Sequence, residues 1–286
     1  MNLTPEMKAH WEQLKPSNDF IFAKMMRNVE ICKGLIETLL DLSVERIEYP
    51  DEQKTIDIKA DAKSVRLDVY VTDEADTVYN IEMQATPKYN LAKRSRYYQG
   101  MIDLNLIEKG ELYDKLNKSY VIFICTFDPF CLGQHVYHFE NRCINRPELA
   151  LGDETNKYFF NTKGTDTVTK EIKEVLDFLE TAMPDAQENP LVEAMAKEYE
   201  KIKTNEGWEV EYMNLYLRDK ENYQEGVQQG IQQGMQQGMQ QGMQQGATQK
   251  EMEIAQKMLD QGYPVSEIAR LTDLTAQEIG RLRHRV

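Results

Sequence analysis

The stretch Ser64-Val-Arg-Leu-Asp-Val-Tyr-Val-Thr-Asp-Glu-Ala-Asp-Thr-Val-Tyr-Asn-Ile-Glu-Met-Gln-Ala85 reads as two strands around a short polar turn. From Ser64 to Thr72, the residues Val65, Leu67, Val69 and Val71 alternate with Arg66, Asp68 and Tyr70. From Thr77 to Ala85, Tyr79, Ile81 and Met83 alternate with Val78, Asn80, Glu82 and Gln84. A period of two is the strand signature, and Asp73-Glu74-Ala75-Asp76 supplies the turn. In a hairpin centred on Ala75, facing residues have numbers that add to twice 75. Val71 then faces Tyr79, Val69 faces Ile81, Leu67 faces Met83 and Val65 faces Ala85, so the apolar set shares one side, as register requires. The same sum sets Asp68 opposite Glu82, with Gln84 on that side two residues on, opposite Arg66.

Directly opposed side chains in such a ladder lie roughly 4.5–5.5 Å apart, close enough for two carboxylates to repel. Two readings stay open. A divalent cation can sit between them, since Mg²⁺ binds one or two carboxylates and completes its shell with water and substrate phosphate. The alternative is a solvated polar face, with Asp68 paired to Arg66 or to a nearby lysine. Downstream, Met83 to Ile102 contains no Asp or Glu but holds Lys88, Lys93, Arg94 and Arg96, interleaved with Tyr89, Tyr97 and Tyr98. Most of this segment reads as a helix from Ala92 to Leu106. A basic and aromatic helix start beside the carboxylates suits phosphate contact, and equally suits a solvated charged face.

Working outward, Pro16-Ser17-Asn18-Asp19 is a helix start, with Phe20, Ile21, Ala23, Met25 and Met26 giving the helix an apolar face. A second helix is expected from Val29 to Leu42. Tyr120 to Phe127 is a continuous apolar run, the pattern of a strand buried on both faces. Val136–Phe139 and Tyr158–Asn161 are weaker strand candidates. Residues 1–165 therefore read as a mixed α/β domain. Residues 166–223 read as an acidic helical extension broken at Pro184 and Pro190. Between Glu171 and Glu225 there are 15 acidic and 6 basic residues, a local net of −9.

Residues 224–247 repeat Gly-(Val/Ile/Met)-Gln-Gln, with glycines at 226, 230, 234, 238, 242 and 246. Each interior glycine costs about 1 kcal/mol relative to alanine, so the repeat reads either as a flexible spacer or as a helix stabilised by self-association. Residues 248–286 read as three short helices, with a stop at Gly262-Tyr263-Pro264 and Ser266 as a cap. The segment SEIARLTDLTAQEIGRLR has helix-turn-helix spacing and offers Gln277, Arg281 and Arg283. This tail holds 6 acidic and 6 basic residues from 247 to 286, which leaves DNA contact and protein packing both open.

The chain of 286 residues is 41% hydrophobic, ample for one sizeable core and a smaller module. No apolar run approaches the roughly 18 residues that span a bilayer, and the first residues lack a signal-peptide core, so no membrane partner is expected. Cys32, Cys125, Cys131 and Cys143 form no CxxC pair; with the polar start they point to a reduced, cytoplasmic protein. The net charge of −14 disfavours tight non-specific DNA binding but does not exclude a local basic groove. His135 and His138, three apart in a strand, point to opposite faces and do not share a metal. No phosphate-loop, dinucleotide, zinc-protease or nucleophile-elbow motif is present.

The ordered blocks Pro16-Ser-Asn-Asp-Phe-Ile-Phe22, Arg66-Leu-Asp-Val69, Asn80-Ile-Glu-Met-Gln84 and Lys93-Arg94 ahead of Tyr97-Tyr98 resemble the recombination-promoting nuclease and transposase family, a branch of the PD-(D/E)XK nucleases. The buried strand at 120–127 fits the resemblance, which covers residues 14–165; the Gly-rich tail is similar to the tails of that family. The resemblance implies a restriction-endonuclease-like α/β core, with a mixed sheet flanked by helices and a helical C-terminal extension. It implies a metal-dependent DNA endonuclease acting in recombination, mobile-element movement or defence. Asp68 and Glu82 would be the ligands of Mg²⁺, or of Ca²⁺ or Mn²⁺. Gln84 stands where the general motif has lysine, so Lys93 or Arg94 is expected to bring the missing cation. Lys88 and Arg96 are expected on DNA phosphates. The first-helix carboxylate is Glu30, Glu37 or Asp19. The rival function is a catalytically weak or inactive DNA-binding or oligomerising regulator that keeps the fold. Self-association is expected through residues 220–286.

Overall fold

The computed structural model of the chain describes residues 3–49, 55–56, 65–66, 68–87, 90–107, 110–184 and 189–283, with residues 55, 56, 65, 66 and 283 described by backbone alone. Two compact units divide it, Met1–Met213 and Asn214–Val286.

The first unit opens with α1 (Pro5–Glu12), α2 (Asp19–Met25) and α3 (Val29–Leu40). Asn18 and Asn28 cap α2 and α3, each accepting two backbone N–H bonds. Asp41, at positive φ, ends α3 two residues short of the expected Leu42. The strands are β1 (Ile47–Glu48), β2 (Thr55–Ile56), β3 (Val65–Arg66), β4 (Val69–Asp73) and β5 (Val78–Gln84). After α4 (Leu91–Leu106) come β6 (Ser119–Cys125), β7 (Val136–Phe139), β8 (Arg142–Cys143), β9 (Arg146–Ala150) and β10 (Thr155–Asn161). The helices α5 (Lys170–Thr181) and α6 (Pro190–Lys203) follow, Pro190 starting a helix rather than breaking one.

Six strands form one mixed sheet in the order β1-β4-β5-β6-β10-β7, with β5, β6 and β10 parallel and the other pairings antiparallel. The β4–β5 hairpin has the register expected from its alternation, Val69 facing Ile81 and Val71 facing Tyr79. Its turn is fixed by Asp73, whose Oδ1 accepts from the N–H groups of Ala75 at 2.9 Å and Thr77 at 2.8 Å. The first strand is shorter than the sequence pattern predicts. Val65 and Arg66 leave the hairpin and pair antiparallel with Ile56 and Thr55, so Arg66 does not face Gln84. Asp68 sits in a bend, where its carboxylate takes the Met83 N–H in place of a ladder bond. Leu67 lies outside the described residues.

The sheet is buried on both faces. On one, Val78, Val121, Phe123 and Phe159 pack with Leu91, Tyr98, Met101 and Ile102 of α4. Strand alternation puts Val71, Tyr79, Ile81, Ile122, Ile124 and Phe160 on the other, all buried. Of the other helices α2 contacts β5, and α6 contacts α2, α3 and α5. The acidic extension belongs to this unit's core, since Val175, Leu176, Phe178, Leu179, Val192, Met195 and Ile202 are fully buried.

The helix α7 (Glu206–Asp260) begins in the first unit and continues into the second. The glycine repeat is helical throughout, its residues exposed. In the second unit, α8 (Val265–Leu271) and α9 (Ala276–Arg283) close a small core of Ala255, Ile268, Leu274 and Ile279. Pro264, not Ser266, is the N-cap of α8, because the proline's fixed φ already sets the entry of the chain. Among the described residues no helix is long and apolar enough to cross a membrane.

Candidate active site

A cavity of about 310 Å³ opens at the C-terminal end of β5, lined by Asn18, Asp19, Asp68, Glu82, Gln84, Thr86, Arg94 and Tyr98 among others. Three pieces of local structure make it. The cap at Asn18 leaves Asp19 in the first turn of α2, exposed at the cavity wall. The bend before β4 turns Asp68 toward β5, and the two carboxylates interlock through backbone N–H groups. Asp68 N–H donates to Glu82 Oε1 at 3.2 Å, and Met83 N–H donates to Asp68 Oδ2 at 3.1 Å. The third piece is the start of α4, which aims Arg94 and Tyr98 at the end of the sheet.

Glu82 is only 2% exposed. Burial above all, and then the negative charge of Asp68, push its carboxyl far above the ordinary range, while Arg94 pulls the other way. Arg94 is the counter-charge at hand: one guanidinium nitrogen lies 3.5 Å from Glu82 Oε2 and also donates to the Tyr98 hydroxyl at 2.6 Å. The other donates to Gln84 Oε1 at 2.7 Å. Gln84 is engaged at its other end too, its Nε2 donating to the Met83 carbonyl at 2.8 Å. The amide thus holds the arginine.

The remaining expected residues fall outside this group. Lys93 and Arg96 are exposed on α4 and do not line the cavity, and Lys88 lies outside the described residues. Glu30 is exposed at the start of α3, and Glu37 accepts the Val44 N–H at 3.0 Å; of the three first-helix carboxylates, the cavity takes in Asp19. Asn18 and Thr86 join the lining without having been singled out for the site. For Asn18 the signal was available, since a cap residue sits by construction at the mouth of its helix. His135 bonds Asp166 at 2.7 Å and His138 bonds Asn156 at 3.0 Å, each in its own surroundings.

Among the described residues no three His, Cys, Asp or Glu side chains gather into a self-sufficient metal cluster. The donor set still fits a hard divalent cation. Two carboxylates share one rim with a single guanidinium beside them, and an ion such as Mg²⁺ draws its remaining ligands from water and phosphate.

Residues 16–233 match the family described as PD-(D/E)XK nuclease family transposase. The chain belongs to this family. Residues 248–284 match the C-terminal helix-turn-helix domain of the Rpn/YhgA-like nuclease family, which covers the three-helix core around Ile268. No curated protein and no solved structure matches the chain. The nuclease family match takes in Asp68, the β5 strand with Glu82 and Gln84, α4, the acidic helices and the first glycine repeats.

Proposed function

We propose that the chain is a metal-dependent DNA endonuclease acting in recombination, mobile-element movement or defence. The observation that carries this reading is the buried Glu82 interlocked with Asp68 at the rim of a cavity that Arg94 also lines. Asp68 and Glu82 would hold a divalent cation, Mg²⁺ or its relatives Mn²⁺ and Ca²⁺, with Asp19 a further carboxylate on the cavity wall. Such an ion polarises a scissile phosphate and lowers the pKa of a bound water. Arg94 then has two tasks. Beside the carboxylates it offsets their charge, and turned to the cavity it presents N–H donors to phosphate oxygens as negative charge builds on them. Gln84 keeps the guanidinium at the site. Lys93 and Arg96, exposed on the same helix, can take flanking phosphates without touching the reaction.

The rival reading, an inactive DNA-binding regulator, draws on Gln84 standing where the general motif has lysine. Arg94 at 2.7 Å from that glutamine puts a cation in the same place, which favours the enzyme. The helix-turn-helix unit supports DNA as the partner. The exposed repeat of α7 supports self-association through residues 220–286, which would give a duplex two active sites. Asp68→Ala and Glu82→Ala are expected to abolish Mg²⁺-dependent DNA cleavage with the circular dichroism spectrum unchanged. Either variant cutting at the parental rate would overturn the assignment.

A further inference from the structure

Asn80 lies on β5 between Val78, which packs against α4, and Glu82, and alternation puts all three on one face. Its side chain is fully buried, and neither its amide nitrogen nor its carbonyl oxygen meets a hydrogen-bond partner among the described residues. Its cross-strand neighbours are Tyr70 on β4 and Val121 on β6. A central strand at this place ordinarily takes an apolar side chain, and an unpaired buried amide is a standing cost that a fold keeps for a reason. The Asn80 amide acts on the Glu82 carboxylate as a hydrogen-bond donor would, lowering its pKa, in a contact that falls short of a closed hydrogen bond.

Glu82 now spends one oxygen on the Asp68 N–H and faces Arg94 with the other. A carboxylate offers about four lone-pair sites, so it can take a cation and still accept a further N–H, and a donor from within the protein then fixes how it turns. We propose that Asn80 is a positioning residue for the metal centre, its amide N–H donating to Glu82 when that carboxylate turns to a divalent cation. This rests on Asp68 and Glu82 being the ligands. Donors of this kind, behind a ligand, typically carry ten- to a hundredfold in metal affinity.

The test is calorimetric titration of the full-length protein with Mn²⁺, alongside the thermal midpoint of the metal-free protein. Asn80→Leu keeps the size and removes the donor. It is expected to raise the metal-free midpoint, because the unpaired amide is gone, and to weaken Mn²⁺ binding about ten- to a hundredfold. Asn80→Thr and Asn80→Val form a shape-matched pair differing by one hydroxyl, and the Thr variant is expected to bind Mn²⁺ more tightly. Parental affinity in Asn80→Leu, or equal affinity in the Thr and Val pair, overturns the role of Asn80 and leaves the metal centre standing. If Asn80→Leu does not fold, the Thr and Val pair decides alone. A parental protein that takes up no Mn²⁺ overturns the metal centre itself, and this role with it.

Discussion

Arg94 meets Glu82, Gln84 and Tyr98 at once, and its guanidinium carbon lies 5.3 Å from the Tyr98 ring centre. Lys93, one residue earlier, is exposed. Arg94→Ala is therefore expected to slow single-turnover cleavage by about a hundred- to a thousandfold, the usual loss for one preorganised donor, with Mn²⁺ affinity nearly unchanged. Lys93→Ala should cut at close to the parental rate; a large loss there and none at Arg94 would move the cation. Gln84→Lys sets an ammonium against the guanidinium and should impair cleavage, while adding Arg94→Ala should recover part of it, a coupling that a double-mutant cycle reads directly. In the sequence Lys93 and Arg94 looked equivalent. Helical phase separates them: Leu91, Tyr98, Met101 and Ile102 are the buried face of α4, and position 94 falls on that stripe while 93 does not. The pairing of Asp68 with Glu82 was legible because period two fixes register; the bend at Asp68 was not, because it depends on a side chain capturing the Met83 N–H.

At the scale of the elements, the tail shows what short helices need. Thr275 and Glu278 form a reciprocal cap at the start of α9. The Glu278 N–H donates to Thr275 Oγ1 at 3.3 Å, and Glu278 Oε2 accepts from the Thr275 N–H at 2.8 Å and its hydroxyl at 2.6 Å. Thr275→Ala should destabilise the helix-turn-helix unit by about 1 kcal/mol, seen as a lower urea midpoint at unchanged slope. This cap was present in the sequence as Thr-x-x-Glu, whereas the state of the glycine repeat could not be read there, since its propensity allows spacer and helix alike. In the structure a Cβ at Gly226, Gly230, Gly234, Gly238, Gly242 or Gly246 would meet nothing within 4 Å. Val227, Ile231, Met235, Met239 and Met243 run beside them, 45–72% exposed. Gly234→Ala with Gly238→Ala therefore separates two cases. A solitary helix gains about 1 kcal/mol per site in propensity, while a helix packed closely on a second copy loses its contact. Loss of self-association is the expected result, measured by light scattering.

For the whole molecule, the first unit reaches past the sheet and the acidic helices to Met213. A chain ending at Met213 is expected to bind Mn²⁺ and run as a monomer, while the full-length protein associates; two monomers at high micromolar concentration would make α7 a spacer. The reason the unit needs its last residues lies in Lys24, only 7% exposed, whose ammonium donates to both Glu211 carboxylate oxygens at 2.9 and 2.8 Å across 187 residues of sequence. During synthesis Lys24 leaves the ribosome many seconds before Glu211, at about 5–20 residues per second. Until then this ion pair cannot form. A chain cut short of Glu211 is expected to leave a buried ammonium without that carboxylate, and so to unfold at a lower urea concentration than one ending at Met213.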